Sequence, residues 1–383
     1  MIPQLSNISL QKIVNKFTGN QRAIGVDVGL NSIKVVSLKK SKEKILLDNY
    51  VIANSQKPLI EVGENGAISE LAGTVVKEAM RSAGLKSRMV NVAIPSFTSL
   101  IITIEIPSIS SGNFEDVVRK EVARYIPVKI DDVVYDWQVI NQEVLHSSQE
   151  TGAESNGRLS GRNYQDKGQM IKILVIAIMK EISAKYEEVF YKNELRINLL
   201  EIDSISLSRA LTGRRPGVYI ILDIGHEVCN IIIAAQGNIL INRTVDIGGN
   251  KMTEVIAKTF KINNKRAEQL KIQKGIQAGI IPGSRQNALT PLLSILVEEI
   301  KKTKELFRED FGGATVNEIL VSGGTAKMIG LKEFLTEQTG LKTTVANALQ
   351  DGIEVPAAAQ GAVEKEGALL NIATGLALAD FLE

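Results

Sequence analysis

The sequence predicts an α/β protein made of two similar halves, and three observations lead to this class. The chain has 383 residues, which is long for one hydrophobic core. Short apolar runs typical of strands alternate with amphipathic helical stretches along most of it. One strand–turn–strand pattern, whose first strand ends in Asp-Xaa-Gly, occurs at Asp27 and again at Asp223. A duplicated domain explains all three observations, with a ligand site expected in the cleft between the halves.

Apolar periodicity and turn residues predict the elements in order. The first half is predicted to form strands at 23–28, 33–38, 45–53, 90–94 and 99–106, with a helix at 70–83 that ends at Gly84. The middle is predicted to form a helix at 114–125, stopped by Pro127, then strands at 133–144 and 171–179 and a helix at 181–195. The second half is predicted to form strands at 199–202, 218–223, 230–235, 239–246 and 318–322, and helices at 205–211, 251–260, 265–272, 289–310, 329–339 and 368–381.

Composition argues against several classes of function. The formal net charge is +2, so no broad basic surface for nucleic acid is expected. Cys229 is the single cysteine and His146 and His226 are the only histidines, so a metal site would use oxygen ligands, as Mg²⁺ does. The phosphate-loop and dinucleotide glycine motifs do not occur. Apolar runs stay below about 18 residues, and the first residues lack a signal-peptide layout, so we expect a cytoplasmic protein.

The repeated hairpin has the chemistry of a phosphate site. Gly29 and Gly225 allow each turn to approach a ligand closely and to present backbone N–H groups to phosphate oxygens. Asp27 and Asp223 are predicted to hold Mg²⁺ through water, since Mg²⁺ releases its own waters reluctantly. One Asp-Xaa-Gly is usually only a turn. Two in equivalent strand contexts predict a pair of hairpins that hold a triphosphate from both sides.

The first hairpin, residues 24–34 (IGVDVGLNSIK), resembles the first phosphate motif of the superfamily that contains actin, heat-shock chaperones and sugar kinases. The resemblance implies that the ligand is ATP with Mg²⁺. It implies that the β- and γ-phosphates are held by the backbone amides of Gly29, Leu30, Asn31 and Ser32. Lys34 would reach the phosphates from the returning strand; without the resemblance it would be interpreted as a surface lysine.

Residues 222–230 resemble the second phosphate motif of the same superfamily, with Gly225 and His226 in the turn. Relatives often carry Thr or Ser where this chain has Cys229, and a thiol donates a weaker hydrogen bond. Alternatively, Cys229 is a small buried hydrophobic residue. Gly248 and Gly249 precede a helix, as in the superfamily.

Two later segments resemble nucleoside-binding motifs. Glu268 and Lys271 lie one helical turn apart, and in relatives such a pair reaches the ribose and the adenine. Taken alone, the pair would be a solvated ion pair worth less than about 1 kcal/mol. Residues 321–326 resemble the adenosine motif, in which two glycines let the base lie on the backbone. The residues implied there are Gly323, Gly324 and Thr325.

Motifs in the middle of the chain limit the resemblance to one family within this superfamily. Residues 121–128 (EVARYIPV) and 133–139 (VVYDWQV), with Tyr186 further on, resemble the PilM family of type IV pilus inner-membrane assembly proteins. This implies a bilobal actin-like ATPase fold of duplicated ribonuclease H-like domains, with an inserted subdomain like that of FtsA. It implies a groove for the cytoplasmic N-terminal peptide of a PilN-like single-span inner-membrane protein. Other pilus platform and motor proteins, a second copy of the chain and a peripheral place at the inner membrane are also implied.

The resemblance divides the chain into five parts. They are a leader at 1–21, the first lobe's N-terminal part at 22–100, the inserted subdomain at 101–195, the second lobe at 196–365, and a C-terminal helix at 366–383 that returns to the first lobe. The leader is loosely amphipathic and is expected to lie on a membrane or partner, or to be a tail or a helix packed on its own domain. The segment 145–168 is poor in apolar residues and is expected to be a flexible insertion in a hairpin.

Several functions are open at this stage. A nucleotide-dependent scaffold would change its partner binding when ATP binds. A small-molecule kinase of the same fold would need a general-base Asp between the two phosphate motifs. A filament-forming protein like FtsA or MreB and a type II secretion homologue are further alternatives. No motif fixes a residue that orients an attacking water; Glu201, Asp203 and Asp223 are the candidates, so turnover is left open and any hydrolysis is expected to be slow.

Overall fold

The computed structural model describes residues 22–61, 66–107, 114–140, 170–281 and 287–381. The leader and the insertion at 145–168 lie outside these ranges, so the expectations for both stay predictions. The fold separates into two compact units, one containing the residues up to Ser206 and from Ile372 onward, the other Leu207–Asn371. Across the described ranges, no helix is both long enough and apolar enough to cross a membrane.

The first unit is built on a mixed sheet with a smaller sheet inserted into the chain. Its elements are β1 (Arg22–Val28), β2 (Ser32–Ser41), β3 (Lys44–Asn54), α1 (Glu70–Ser82), β4 (Met89–Ile94), β5 (Ser99–Pro107), α2 (Phe114–Tyr125), β6 (Val133–Val139), β7 (Met170–Met179), α3 (Lys180–Lys192), β8 (Arg196–Ile202) and the start of α4 (Asp203–Thr212). Strands β3, β2, β1, β4 and β8 lie side by side in that order. The first three are antiparallel to one another, whereas β4 is parallel to β1 and β8 is parallel to β4.

The second unit repeats this sheet. Its elements are β9 (Val218–Ile224), β10 (Cys229–Ala235), β11 (Asn238–Val245), α5 (Gly249–Phe260), α6 (Asn264–Lys274), α7 (Thr290–Asp310), β12 (Glu318–Ser322), α8 (Leu331–Thr339), β13 (Thr343–Val345), β14 (Ile353–Glu354) and most of α9 (Gln360–Leu378). The strand order is β11-β10-β9-β12-β13, again with an antiparallel meander followed by parallel strands. Strands β9, β10, β11, β12 and β13 thus correspond to β1, β2, β3, β4 and β8. The shared topology confirms the duplication that the repeated hairpin predicts.

The inserted subdomain is a three-stranded antiparallel sheet, ordered β5-β7-β6, with α2 packed against one face. Of the apolar residues of α2, Val118 and Val122 are fully buried in one core with Ile104, Ile173 and Val175, whereas Tyr125 is exposed. The apolar pattern of this short helix therefore identifies the centre of the buried face but not its C-terminal end.

The units divide at a different place from the one expected. The sequence places the end of the inserted subdomain at 195 and assigns 196 onward to the second lobe, but β8 pairs with β4 in the first sheet and the division falls after Ser206. The helix predicted at 181–195 ends at Lys192, because Glu194 has a left-handed backbone (φ 63°) and the chain turns into β8. The last helix begins at Gln360, earlier than predicted.

Strand β1 and helix α9 pack with their backbones in contact. A Cβ on Gly25 would lie 2.0 Å from the carbonyl oxygen of Ala373 and 2.8 Å from the amide nitrogen of Ala377. No other residue fits at Gly25 without moving the helix or the strand. This contact fixes the strand that carries Asp27.

Candidate functional site

The first candidate half-site is the turn between β1 and β2. Asp27 stands opposite Lys34 across the hairpin, and the turn is closed by the Gly29 N–H, which donates to the Ser32 carbonyl at 2.9 Å. Asp27 is only 7% exposed, and Lys34 Nζ lies 3.1 Å from its Oδ2. A Cβ on Gly29 would lie 3.0 Å from the same Nζ, so a larger residue at this position would crowd the lysine side chain. The hairpin therefore holds a neutralised, nearly buried ion pair beside its turn.

The backbone of this turn is anchored on one side. The carbonyls of Leu30 and Asn31 accept from the N–H groups of Leu59 and Ser55, at 2.7 and 2.8 Å. In a planar trans peptide, the N–H that follows a carbonyl points the opposite way. The N–H groups of Asn31 and Ser32 are therefore directed away from the segment that follows β3. Amides oriented together in this manner are what an anion-binding turn requires.

A second carboxylate lies close to Asp27 in the same unit. Asp203 begins α4, and its Oδ1 accepts from the Ser96 N–H at 3.1 Å, from the Ser96 hydroxyl, and from the Ser204 hydroxyl at 3.2 Å. Desolvation raises the pKa of Asp203 to about 6; the hydrogen bonds from Ser96 oppose this rise and the negative charge of Asp27 adds to it. A carboxylate perturbed by both burial and a like charge is typical of a functional site.

Tyr186 of α3 lies near enough to Asp203 and Asp27 to feel the charge of both carboxylates. The residue is fully buried, and its hydroxyl finds no hydrogen-bond partner among the described residues. Burial, followed by the charges of Asp203 and Asp27, raises the pKa of the phenol far above its ordinary value. An unpaired buried hydroxyl costs about 1–3 kcal/mol, and a bound water or ion is a common reason for it. Tyr186 therefore belongs to the buried polar group that contains Asp27 and Asp203.

The second candidate half-site begins at the turn between β9 and β10. The Gly225 N–H donates to the Val228 carbonyl at 3.0 Å, which repeats the closure of the first turn. Asp223, next to the end of β9, is 8% exposed. The His226 side chain is exposed in the turn, with its Nε2 3.3 Å from Glu227 Oε1. The two predicted phosphate turns therefore share their local geometry.

Cys229 packs as a small apolar residue. It begins β10, is fully buried, and its Sγ lies 3.8 Å from the carbonyl oxygen of Asn230. Burial and the charge of Asp223 raise the pKa of the thiol well above its ordinary value. Of the two interpretations that the sequence allows, the structure supports the buried hydrophobic residue.

Helix α5 begins against the second turn. The N–H groups of Gly249 and Asn250 donate to the carbonyls of Gly225 and His226, at 2.9 and 2.8 Å. A Cβ on Gly248 would lie 2.3 Å from the His226 carbonyl oxygen, so only glycine allows this approach. The positive end of the α5 dipole is thus attached directly to the predicted phosphate turn.

Glu268 and Lys271 of α6 form a partly buried pair beside the start of α5. Lys271 Nζ lies 2.8 Å from Glu268 Oε2 and donates to the Gly249 carbonyl at 2.7 Å and to the Thr253 hydroxyl at 2.9 Å. Desolvation raises the pKa of Glu268, but the hydrogen bonds from Lys271 and Thr253 outweigh it and the pKa is lowered overall. The pair is therefore not the solvated ion pair that the residues alone suggest.

The end of β12 lies beside Asp223. Gly323 has φ +88°, and a Cβ there would lie 2.9 Å from Asp223 Oδ1 and 2.6 Å from the Ile224 carbonyl oxygen. A Cβ on Gly324 would lie 3.8 Å from Leu369 Cδ2, which is an ordinary contact distance. The Thr325 N–H reaches the Ile224 carbonyl at 3.4 Å. The third predicted motif is therefore in contact with the second.

The structure sorts the predicted site residues into two sets, each within one unit. The first-unit set is Asp27, Gly29, Leu30, Asn31, Ser32, Lys34 and Asp203. The second-unit set is Asp223, Gly225, His226, Gly248, Gly249, Glu268, Lys271, Gly323, Gly324 and Thr325. Glu201, the remaining catalytic candidate, is buried and accepts from the Ser206 hydroxyl at 2.8 Å. The assignment of both sets to nucleotide binding stays a prediction.

Sequence reasoning gave no site role to Ser96 or Thr253, and it named Tyr186 only as part of the family resemblance. The topology contains a signal for the first of these. Strands β1, β4 and β8 are parallel neighbours, so the residues after their carboxyl ends meet at one edge of the sheet. Ser96 follows β4 and Asp203 follows β8, next to the turn after β1. Tyr186 and Thr253 lie within helices, where the sequence carries no comparable signal.

The comparisons with known proteins agree with this architecture. The family model described as type IV pilus assembly protein PilM matches residues 25–152 and 159–381. The solved PilM–PilN type IV pilus biogenesis complex is similar to the chain at 23% identity and a TM-score of 0.76, over 94% of this chain and 98% of that chain.

More distant similarities are found to two further solved structures. The ethanolamine utilization protein EutJ from Carboxydothermus hydrogenoformans has 17% identity and a TM-score of 0.47, over 96% of this chain and 92% of that chain. MreB5 of Spiroplasma citri bound to ADP has 12% identity and a TM-score of 0.48, over 93% of this chain and 94% of that chain.

The repeated strand order and the PilM–PilN match confirm the expected actin-like fold of duplicated ribonuclease H-like domains. The family match covers nearly the whole chain. The protein therefore belongs to the type IV pilus assembly protein PilM family.

Proposed function

We propose that this protein binds ATP with Mg²⁺ and couples its nucleotide state to partner binding in the type IV pilus assembly platform. The observation that carries the proposal is the second half-site. A glycine turn, a helix N-terminus and a Gly-Gly segment lie in contact there, around buried Asp223. Glycine at these positions lets the turn, the start of the helix and the end of the strand approach one another closely, which is the arrangement that phosphate and base binding would use.

Each residue has a proposed role in binding. The amides at Gly29–Ser32, with Lys34, and the Gly225–His226 turn would hold phosphate oxygens. Glu268, Gly323, Gly324 and Thr325 would face the nucleoside. Asp27 and Asp223 would hold Mg²⁺ through its waters; the bound ion would neutralise phosphate charge. Asp203 is the proposed residue for holding a water near Asp27, and we assign no rate of ATP turnover.

The proposed partner is the cytoplasmic N-terminal peptide of a PilN-like inner-membrane protein. Membership of the PilM family supports this choice, as does the similarity to a PilM that was solved in complex with PilN. The protein would then be held at the inner membrane through that partner. ATP can change the affinity for the peptide only if it binds one conformation better than another, and the peptide must then change the ATP affinity by the same factor.

This reciprocity is testable with the full chain. Thermal unfolding should be measured with MgATP, with ATP and EDTA, and with the peptide alone or with MgATP. MgATP at 100 times its dissociation constant should stabilise the fold by about 2.7 kcal/mol, and EDTA should remove most of that gain. The peptide should bind with a different affinity when MgATP is present. An unfolding temperature that does not respond to millimolar MgATP would contradict nucleotide binding, and equal peptide affinities would contradict coupling.

A further inference from the structure

Asn371 of α9 carries a buried amide that lies beside the end of β12. It is 1% exposed, and its Nδ2 donates to the Ser322 hydroxyl and to the Ala346 carbonyl, both at 3.1 Å, and to the Ala368 carbonyl at 3.4 Å. Its Oδ1 accepts from the Ala348 N–H at 2.8 Å. One side chain therefore joins three parts of the second unit: the end of β12, the segment that follows β13, and α9 itself.

The contacts of Asn371 lead directly into the Gly-Gly segment. Ser322 is the last residue of β12, and its hydroxyl donates to the Ala368 carbonyl at 3.4 Å. The next N–H along the chain, that of Gly323, donates to the same carbonyl at 3.3 Å. Gly323 then turns with φ +88°. The point at which the chain leaves β12 is thus held against α9 by a set of hydrogen bonds that Asn371 completes.

The end of β12 is also held close to Asp223. In the parallel pairing of β12 with β9, Ser322 stands opposite Asp223. A Cβ on Gly323 would lie only 2.9 Å from Asp223 Oδ1. Because this approach is so close, a small displacement of the strand end changes the distance between the Gly-Gly segment and the turn that follows β9.

We propose that Asn371 is a positioning residue for nucleoside binding, which acts through Ser322 and Gly323. A fully paired buried amide makes the backbone around it rigid, because moving any partner leaves a polar group without its hydrogen bond. Asn371 thereby holds Gly323 and Gly324 where they can receive the base. The inference rests on the proposed nucleotide binding and adds to it a residue outside the predicted motifs. Loss of Asn371 weakens the contribution of the nucleoside to ATP binding and leaves the binding of phosphates nearly unchanged.

Asn347 offers a matched control in the same unit. Its Nδ2 donates to the Val363 carbonyl at 3.0 Å, and its Oδ1 accepts from the Leu349 N–H at 3.2 Å. It therefore also ties the segment after β13 to α9, but within the described residues these side-chain hydrogen bonds do not reach β12. Asn347→Ala should lower the melting temperature, as Asn371→Ala does, without changing the Gly-Gly segment.

The first test needs no ligand. Hydrogen exchange followed by mass spectrometry compares the wild-type chain with Asn371→Ala and Asn347→Ala. Both variants should speed exchange in the segment 346–349, since each loses a hydrogen bond to a backbone N–H there. Only Asn371→Ala should speed exchange in the segment 322–326. Unchanged exchange of 322–326 in Asn371→Ala would overturn the proposal.

The second test measures the contribution of the nucleoside. Displacement of a fluorescent ATP analogue gives the affinities for ATP and for inorganic tripolyphosphate, each with Mg²⁺. Asn371→Ala should weaken ATP binding about fivefold or more, the size expected for the loss of about one hydrogen bond, and tripolyphosphate binding by less than about twofold. Asn347→Ala should leave the ratio of the two affinities unchanged.

Three outcomes of this measurement carry different conclusions. An unchanged ratio of ATP to tripolyphosphate affinity in Asn371→Ala would overturn the proposal. An equal change of that ratio in Asn347→Ala would assign Asn371 a role in stability alone and would also overturn it. Failure of the wild type to bind ATP would instead refute the proposed function.

A further variant guards against misfolding. Ser322→Ala removes the hydroxyl that joins Asn371 to β12 and leaves the hydrogen bonds of Asn371 to Ala346 and Ala348 in place. It should lower the ratio of ATP to tripolyphosphate affinity in the same direction, by a smaller factor of about threefold. If Asn371→Ala does not fold, Ser322→Ala decides: a lowered ratio supports the proposal, and an unchanged ratio overturns it.

Discussion

Asp203→Asn should stabilise the protein at neutral pH, although it removes a residue of the first half-site. The carboxylate is held between hydrogen-bond donors on Ser96 and Ser204 and the like charge of Asp27. Asparagine keeps an oxygen that accepts from the same donors, loses the charge, and presents an N–H₂ group that can face Asp27. The repulsion and the desolvation of a charge are therefore removed without leaving a donor unpaired.

The size of the effect follows from the pKa. The pKa of Asp203 is about 6 in the folded protein, against 3.8 for an ordinary aspartate. A tenfold change in proton affinity is worth about 1.4 kcal/mol, so the charged form costs at most about 3 kcal/mol. Asp203 keeps some contact with solvent, and screening by that solvent reduces the cost to about 1–2 kcal/mol.

The pH dependence has a definite sign. Since the folded pKa is the higher one, the native protein binds this proton more tightly than the unfolded chain. The contribution of Asp203 to the free energy of unfolding therefore falls as pH rises from about 4 to about 6, and stays at its reduced value above that range. The Asp203→Asn protein should lack this contribution to the pH dependence of the free energy of unfolding. Its gain in stability over the wild type should be complete above about pH 6.

Denaturant unfolding at a series of pH values measures both effects. Trp137, the single tryptophan, lies in β6 of the same unit and reports its unfolding by fluorescence. Asp116→Asn, on the exposed face of α2, is the control and should change stability by less than about 0.5 kcal/mol. A less stable Asp203→Asn protein at pH 7.5, or one with the wild-type pH slope, would refute the reasoning.

Two other substitutions test the packing that positions the site. Gly25→Ala should destabilise by about 3 kcal/mol or more, because its Cβ would lie 2.0 Å from the Ala373 carbonyl oxygen. Gly361→Ala, with open space at its Cβ, should be neutral or stabilising by up to about 1 kcal/mol, and similar melting temperatures for the two would contradict this contact. Phe114→Ala should cost about 1–3 kcal/mol and alter the emission of Trp137, whose ring meets Phe114 edge to face at 5.2 Å. An unchanged emission spectrum would argue against that ring pair.

Sequence patterns predicted much of the fold because they recur in both halves. The Asp-Xaa-Gly turn at Asp27 and its copy at Asp223 identified the two hairpins, and apolar strands on either side fixed the start of each sheet. Continuous apolar runs, as in β9 and β10, correctly indicated strands, and the structure shows both strands buried along their whole length. The pairing of strands that lie far apart in the sequence was harder to predict. Strand β8 joins the first sheet by pairing with β4, and nothing in its own seven residues identifies β4 as its partner.

The sequence predicted which turns form the candidate site, but it did not predict how buried the side chains around those turns are. Glycine spacing identified Gly225, Gly248 and Gly323, which the structure brings into contact around Asp223. The burial of Lys271 could not be predicted, because a charged residue on an otherwise polar helix is ordinarily solvated. The interaction of Asp203 with Ser96 depends on two parallel strands ending at one edge, which requires the strand order to be known.

The central claim is that the chain binds MgATP and that Asp27 and Gly323 are each needed for tight binding. The most direct measurement is calorimetric titration of MgATP into the wild-type chain, Asp27→Ala and Gly323→Ala, with Asp116→Asn as the control. Wild type and control should bind with equal affinity, and each of the other variants should bind at least about tenfold more weakly, because one loses a buried carboxylate and the other forces a side chain onto φ +88°. A wild-type protein that does not bind MgATP, or variants that bind it as tightly as the wild type, would contradict the account.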